Sequence, residues 1–255
     1  MTSQQPPRTT AKAIADSLRE RIRSGELAPG ASLPTSRELA DSFGVSTKTV
    51  GSAVDLLKAE GLVVGEQGGR RRVRADRAIT WNLTAFEKGK RRDSLAMDDW
   101  SAAIKAAGRV PAQHVTVSTG PASPQVAEWL HLRAGETVVV RTRLRTVDDH
   151  AFQLSTSFFP SSIASGTMLE EEGDVAVPGG ILSAIGHPQS HVRDEISVRM
   201  PTPEETSRLE LPPGTPVAEH VRIGYDEDGR AVRVMQTIAP GDRHVLVYEL
   251  DVTAQ

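Results

Sequence analysis

Residues 33–63, LPTSRELADSFGVSTKTVGSAVDLLKAEGLV, decide the fold of the first part of the chain. Two helical patterns follow one another within this stretch. Thr35 or Ser36 can cap the first helix, Gly44 can end it, and Ser46 can cap the second. Two helices joined by so short a turn predict a helix-turn-helix.

The flanking segments extend this motif to a winged helix-turn-helix over residues 10–75. Upstream, apolar residues recur every four positions from Ile14 to Ile22, which predicts a further amphipathic helix. Downstream, residues 62–64 and 72–74 have the pattern of two short strands around a Gly-Gly turn. Three helices followed by a basic hairpin are typical of DNA-binding modules.

The charge of the chain is divided unevenly along its length. The 255 residues carry 30 Lys and Arg against 33 Asp and Glu, a balance that argues against a nucleic-acid partner. Residues 1–92, however, hold 17 basic and 10 acidic side chains, whereas residues 93–255 hold 13 and 23. This asymmetry predicts two modules with different partners. A random division of surface charge is the alternative explanation of the asymmetry. A small helical bundle that binds protein is the alternative to a DNA-binding module at residues 10–75.

The helix that begins at Ser46 presents small hydrogen-bonding side chains, Thr47, Lys48 and Thr49, in its first turn. The first residues of a recognition helix lie closest to base edges in the major groove. The free N–H groups of its first turn also suit a phosphate, and the arginines of the wing can approach neighbouring phosphates or the minor groove.

The motifs at residues 33–40, 43–50 and 56–63 together resemble the DNA-binding domain of the GntR family of bacterial transcription regulators. The resemblance implies that Arg37 holds the DNA near the start of the recognition helix. The family's usual recognition-helix arginines are replaced here by Thr47 and Gly51, so Lys48 or Ser52 is expected to substitute for them. The residues predicted to contact DNA are Ser36, Arg37, Ser46, Thr47, Lys48, Thr49, Ser52, Gly68, Arg70 and Arg72.

The rest of the chain predicts a disordered tail at residues 1–9, a linker at 76–93 and an α/β domain at 94–255. Helical patterns and strand patterns alternate in this last part. The predicted helices lie at 98–107 and 123–130, and the predicted strands at 138–147, 152–159, 191–198, 217–225, 232–238 and 243–250.

Several segments of this part, in their order and spacing, resemble a UTRA domain, the effector-binding half of HutC-type GntR regulators. The resemblance implies an antiparallel sheet flanked by helices, similar to chorismate lyase. The predicted fold class is therefore α+β, with a winged helix-turn-helix joined to an α/β domain that has a central antiparallel sheet. The segments that carry the resemblance are residues 108–111, 126–132, 143–149, 155–160 and 229–243.

Three arginines, Arg141, Arg143 and Arg145, alternate along one predicted strand and therefore share one face of it. Like charges on one face repel each other unless they are solvated or paired with an anion. By resemblance, Arg143 and Arg145 form the clamp for a phosphate or carboxylate effector, and a guanidinium suits either geometry. The alternative is a solvated face paired with Asp148 or Asp149.

Two further positions bear on the ligand. Ser155 and Arg233 fall where relatives that sense sugar phosphates often carry an acidic residue, which favours a more anionic ligand here. Tyr225 either lines the site or is an ordinary strand aromatic. The residues predicted to bind the effector are Arg143, Arg145, Ser155, Tyr225 and Arg233.

The sequence thus predicts a homodimeric, cytoplasmic transcription factor, more often a repressor than an activator. Its affinity for a pseudo-palindromic double-stranded DNA operator is expected to change when a small anionic effector binds. No cofactor, metal or membrane partner is expected, because Cys is absent, apolar runs are short, and His187 and His191 lack a third ligand. A lyase-like enzyme on the C-terminal fold, for which no catalytic residue can be placed, and a constitutive DNA-binding repressor without ligand are the alternatives.

Overall fold

The computed structural model describes residues 9–65, 70–74, 78–84, 99–175, 177 and 179–250. The chain divides into two compact units. The first runs to Arg77 and includes the short segment Pro212–Thr215, and the second contains Ala78–Leu211 and Pro216–Gln255.

The first unit has three helices and a two-stranded antiparallel sheet, as the sequence predicts. Each helix begins at a side chain that caps it. Thr10 and Ser46 each accept from a backbone N–H three residues on, and Thr35 forms a reciprocal capping box with Glu38. The elements are α1 (Ala11–Arg23), α2 (Ser36–Phe43), α3 (Thr47–Ala59), β1 (Val63–Gly65) and β2 (Arg71–Val73).

The core of this unit is the interface between α1 and α3. Ile14 and Leu18 from α1, and Val50, Val54 and Leu57 from α3, are all fully buried within it. These positions follow the helical spacing read from the sequence. Their burial leaves the opposite face of α3 to solvent.

The tip of the wing, residues 66–69, and the start of the chain, residues 1–8, lie outside the described residues. The predicted DNA contact of Gly68 and the predicted disorder of the tail therefore stay predictions. The strands on either side of the tip pair in register from Val63 opposite Val73.

The second unit is built on a six-stranded antiparallel sheet, a short parallel pair of strands and several short helices. The helices are α4 (Asp99–Ala106), α5 (Pro124–Leu130), α6 (Ser161–Ala164), α7 (Ile181–Ala184) and α8 (Pro203–Arg208), with a 3₁₀ turn at Met168–Glu170. The strands are β3 (Ile79–Asn82), β4 (Pro111–Pro121), β5 (Thr137–Val147), β6 (His150–Pro160), β7 (His191–Arg199), β8 (Val217–Tyr225), β9 (Ala231–Pro240) and β10 (His244–Val247). The strand order in the large sheet is β4-β5-β6-β9-β8-β7, and β3 pairs in parallel with β10.

The hairpin between β5 and β6 turns at Asp148 and Asp149, where the sequence predicts it. Both residues have positive φ, 50° and 62°, which is the geometry of a two-residue turn that continues the twist of the strands. Asp148 also accepts from Arg109 Nε at 2.7 Å and from Val110 N at 2.9 Å. The sequence offered Asp148 as an alternative partner for the arginines of β5. In the structure, its carboxylate also binds Arg109 and the backbone of Val110.

The structure differs from the sequence prediction in the linker, at one edge strand and in three short helices that were not predicted, α6, α7 and α8. Ile79–Asn82, inside the predicted linker 76–93, forms β3 and pairs in parallel with β10, while residues 75–77 and 85–98 lie outside the described residues. The edge strand β4 was missed altogether, because its exposed residues leave only a weak apolar alternation at Val115 and Val117.

Candidate functional site

The exposed face of α3 carries the side chains that were predicted to contact DNA. Thr47, Lys48 and Ser52 are exposed, and the buried side of the same helix is entirely apolar. Gly51 lies between them, and a side chain at this position would meet nothing within 4 Å. A DNA backbone can therefore approach α3 closely at Gly51.

Three of the predicted DNA-binding hydroxyls, those of Ser36, Ser46 and Thr49, already have protein partners. Ser46 Oγ accepts from Thr49 N at 3.2 Å and lies 2.9 Å from Thr49 Oγ1. Ser36 Oγ accepts from Arg71 Nη1 at 2.8 Å. The sequence prediction passed over Arg71, although strand alternation turns it inward with Val73 and leaves Arg72 exposed.

The same unit carries further exposed basic side chains. Arg37, Arg70 and Arg72 are exposed, as the sequence predicts for groups that meet phosphates. The first turn of α3 holds no acidic residue, so the free N–H groups at the N-terminus of α3 remain electropositive. The surface is suited to a polyanion.

In the second unit, one face of the six-stranded sheet is strongly polar. Register places Arg143 opposite Ser155 and Ser155 opposite Thr237, so these side chains lie in one row on the same face. The next row places Arg141 opposite Ser157. The other face of the sheet packs an apolar cluster against α5.

Arg141 is fully buried and holds a loop. Its guanidinium donates to the carbonyl oxygens of Leu169, Glu171 and Gly173 at 2.6–2.8 Å. Burial, and then repulsion from Arg143, lowers the pKa of Arg141. Arg141 is therefore a structural residue beneath the site, a role that the alternation pattern alone did not reveal.

Arg143, Arg145, Ser155 and Arg233 are brought to this one face. Ser155 is buried, with its Oγ 3.1 Å from Thr237 Oγ1, and Arg233 Nη2 donates to Ser157 Oγ at 3.1 Å. The guanidinium of Arg145 stacks 4.8 Å from the centre of the Trp100 ring, which comes from α4.

Tyr225, which was predicted either to line the effector site or to be an ordinary strand aromatic, lies on the other face of the sheet from these residues. Its side chain packs with Val221 and Ile223 in the cluster under α5 and stacks on His191 at 4.6 Å between ring centres. Strand alternation explains this placement. Tyr225 lies two residues from Ile223 and shares its face of the sheet, whereas the side chain of Arg222 faces the polar side.

A carboxylate network lies at the far end of the polar face. Asp194 accepts from Arg222, His220 and Tyr248 at 2.5–2.7 Å. Burial would raise the pKa of Asp194, but these three hydrogen bonds hold it well below its usual range. Arg222 also donates to the carbonyl oxygen of Leu83 at 2.9 Å, so this network fixes the residue that follows β3.

His244, in β10, is a partly buried histidine. Burial lowers its pKa to about 4, so the ring is neutral near pH 7. Its Nδ1 lies 3.0 Å from the carbonyl oxygen of Pro240, and its Nε2 lies 3.2 Å from Gln153 Oε1. Both oxygens accept, so the single N–H of the neutral ring donates to one of them at a time.

This depressed pKa predicts a loss of stability in acid. The unfolded chain takes up a proton on His244 near pH 6.5 but the folded chain only near 4, so the contribution is present above pH 6.5 and lost as the pH falls toward 4. We expect unfolding free energies from urea titrations to fall by up to about 3 kcal/mol over this interval on account of His244. His244→Asn should flatten that part of the profile, and an unchanged profile in the variant would contradict the assignment.

Within the described residues, no group of three or more His, Asp or Glu side chains is arranged to hold a metal ion. No helix in that same part of the chain is both long enough and apolar enough to cross a membrane.

A basic winged helix joined to a second domain with an arginine-bearing sheet face defines a DNA-binding transcription regulator. The model of bacterial regulatory proteins of the gntR family matches residues 10–73, and the UTRA-domain model matches residues 106–245. The chain belongs to the GntR family and carries a C-terminal UTRA domain.

Curated relatives extend over nearly the whole chain. An uncharacterised HTH-type transcriptional regulator of Streptomyces coelicolor is 31% identical, with 94% of this chain and 91% of the relative covered. The HTH-type transcriptional repressor NagR of Bacillus subtilis is 25% identical, with 93% of each covered. These relatives are transcription regulators and not enzymes. This chain is likewise a transcription regulator, so the alternative of a lyase-like activity loses its support.

Solved structures agree in fold. A crystal structure of a GntR-family transcriptional regulator matches with a TM-score of 0.63 at 26% identity, covering 95% of this chain and 98% of the other. PhnF from Mycobacterium smegmatis matches with a TM-score of 0.57 at 23% identity, covering 94% and 100%. The second likeness concerns the fold alone.

Proposed function

We propose that this regulator is a cytoplasmic homodimeric repressor of the HutC type whose operator affinity changes when a small anion binds the polar face of its UTRA sheet. The observation that carries the proposal is the register that puts Arg143 opposite Ser155, with Arg145 and Arg233 further along the same face of the sheet. Guanidinium groups form charge-assisted, often bidentate hydrogen bonds with carboxylates and phosphates. The anion is a phosphorylated or carboxylated metabolite.

The strands themselves supply little opposing charge at this place. Among the described residues of β4 to β9, Asp194 is the acidic side chain that register places on the polar face, and Arg222 already pairs with it. By the family resemblance, Ser155 and Arg233 occupy positions where relatives that sense sugar phosphates often carry an acidic residue. Such a carboxylate would favour an amino sugar, and this chain lacks it at both positions. The face therefore supports an anion better than a cationic or amino-bearing ligand.

For DNA, we propose that α3 lies in the major groove of each half-site of a pseudo-palindromic operator. Thr47, Lys48 and Ser52 would meet base edges and phosphates, with Ser36, Ser46 and Thr49 beside them. Arg37, Arg70 and Arg72, together with Gly68 in the wing, would follow the neighbouring backbone. Two half-sites one helical turn apart require two copies of the chain.

Lys48→Ala tests the DNA surface. Because Lys48 is an exposed cation in the first turn of α3, its loss should weaken operator binding by roughly 3–10-fold. The slope of log K against log salt concentration should also become shallower by about one. Fluorescence anisotropy with a labelled operator at several salt concentrations measures both. Lys12→Ala removes the same charge from α1, where Lys12 pairs with Asp16, and should change neither value. Equal effects of the two variants would contradict this placement of the DNA.

For the coupling, we propose that the signal leaves the effector domain through β3. The bond from Arg222 to Leu83 and the pairing of β3 with β10 tie the beginning of the predicted linker to the effector sheet. An effector that binds better to one arrangement of these strands shifts the population toward that arrangement. Coupling free energies of about 1–3 kcal/mol would change operator affinity about 5–150-fold.

The proposal is tested by a gel shift on the upstream region of the protein's own gene, with and without a panel of phosphorylated and carboxylated metabolites. A ligand-dependent change in the shift supports it. A protein that binds the fragment but is neither released nor tightened, and is not thermally stabilised by any member of the panel, would instead be a constitutive DNA-binding repressor.

A further inference from the structure

A cavity that is partly open to solvent lies beside the arginine-bearing face, between α4, β3, β6 and β10. It measures about 260 Å³. For comparison, an apolar cavity of about 150 Å³ is large enough to hold a benzene molecule. This cavity is therefore large enough for a small ligand, and the residues that line it indicate the kind of ligand that fits.

The walls of the cavity are aromatic in a chain that has few aromatic residues. The sequence contains three Trp, two Tyr and five Phe, and the walls include Trp81, Trp100 and Phe152 together with the ring of His244. Ring centres lie 4.3 Å apart for Phe152 and His244, and 6.4 Å apart for Trp100 and Phe152. Such walls favour a flat ring.

Two buried polar groups in these walls lack partners. Trp100 is 3% exposed, and its Nε1 has no hydrogen-bond partner among the described residues. Gln153 is 1% exposed; its Oε1 lies 3.2 Å from His244 Nε2, and its Nε2 has no partner in the described part of the chain. Buried donors are costly when unpaired, so a ligand atom that accepts from them would be stabilised in this cavity.

The two atoms without partners are of the same kind. Trp100 Nε1 and Gln153 Nε2 are both N–H donors. The oxygen of a ring hydroxyl has two lone pairs and can accept from both.

A guanidinium group lies against one wall of the cavity. Arg145 stacks on the Trp100 ring, and it lies directly opposite Gln153 in the register of β5 and β6. His244 contributes no charge, because it is neutral in the fold. The cavity thus has an aromatic, uncharged interior and a guanidinium at its border.

We propose that the effector is an aromatic carboxylic acid of one or two rings, whose ring fills the cavity between Trp81, Trp100 and Phe152 and whose carboxylate binds Arg145. This rests on the proposed function and names the ligand class of the same domain. A hydrogen-bonding substituent on the ring meets Trp100 Nε1 and Gln153.

The test measures binding to the full-length protein by calorimetry and tryptophan fluorescence. The probes are 4-hydroxybenzoate and 2-naphthoate, with acetate as the acid without a ring and phenol as the ring without an acid. We expect both aromatic acids to bind with a Kd of about 1 mM or tighter, and at least about tenfold better than acetate or phenol. Failure of both acids to bind at about 10 mM would overturn the inference.

Matched variants locate the binding. Trp100→Phe keeps a ring wall but removes the N–H, so it should weaken 4-hydroxybenzoate about 3–10-fold and leave 2-naphthoate, which has no hydroxyl, within about twofold. Arg145→Ala should weaken both acids. Trp129→Phe, in α5 on the opposite face of the sheet, should change neither. If the Kd of 4-hydroxybenzoate is the same in the wild type, Trp100→Phe and Arg145→Ala, the ligand binds elsewhere and the inference is overturned.

The same data separate this inference from the proposed function. If the aromatic acids fail to bind while a non-aromatic phosphate changes operator affinity, the inference is wrong and the proposed function stands. If the acids bind in the cavity and no ligand changes operator affinity, the cavity assignment stands and the proposed function fails.

Discussion

Arg143→Ala should abolish the response to effector while leaving operator binding intact. The wild-type operator affinity is expected to change about 5–150-fold with saturating effector, and the variant's affinity less than about twofold. The reason is that Arg143 lies at the centre of the polar face, opposite buried Ser155, whereas the DNA surface is carried by the other compact unit. Anisotropy titrations of a labelled operator, with and without effector, measure both quantities.

Two controls sharpen this result. Arg143→Lys keeps the charge but not the planar fork, so it should retain part of the response. Arg193→Ala removes a largely exposed arginine from the other face of the sheet and should respond like the wild type. An Arg143→Ala protein that loses operator affinity without effector, or still responds fully, would show that the anion site is misplaced.

Arg141→Met should destabilise the effector domain by about 3–5 kcal/mol. The side chain is fully buried, and its removal leaves the carbonyl oxygens of Leu169, Glu171 and Gly173 without their charged donor. Urea unfolding followed by near-UV circular dichroism measures the loss.

The matched control for Arg141 is again an exposed arginine of the same domain. Arg193→Met, with a side chain that is 65% exposed, should cost less than about 0.5 kcal/mol. Similar losses in the two variants would mean that the three carbonyl bonds contribute little, and that Arg141 is free to act as a ligand group.

The first unit was well predicted from sequence because local signals agree there. Caps at Thr10, Thr35 and Ser46, helical spacing of apolar residues, and a left-handed Gly44 all specify the same three helices. Each of these signals acts within one or two turns of chain, so no tertiary knowledge is needed.

The second unit was predicted less completely because its features depend on register between distant strands. Alternation placed Arg141, Arg143 and Arg145 on one face, but only the approach of the Met168–Glu170 turn makes Arg141 a buried anchor. The sequence also did not reveal that Tyr225 and Arg143 lie on opposite faces of the sheet. The two residues belong to strands far apart in sequence, and no local pattern relates the faces of those strands. The cavity combines Trp81, Trp100 and His244 from segments far apart, and no sequence pattern joins them.

The central claim is that the N-terminal unit binds DNA through a basic surface in a protein whose overall charge is slightly negative. The most direct measurement is the salt dependence of full-length protein binding to the upstream region of its own gene. We predict that log K falls linearly with log salt, with a slope of roughly −5 or steeper for two winged heads on one site, and that Arg37→Ala makes the slope shallower. Affinity that is flat with salt, or unchanged by Arg37→Ala, would contradict the account.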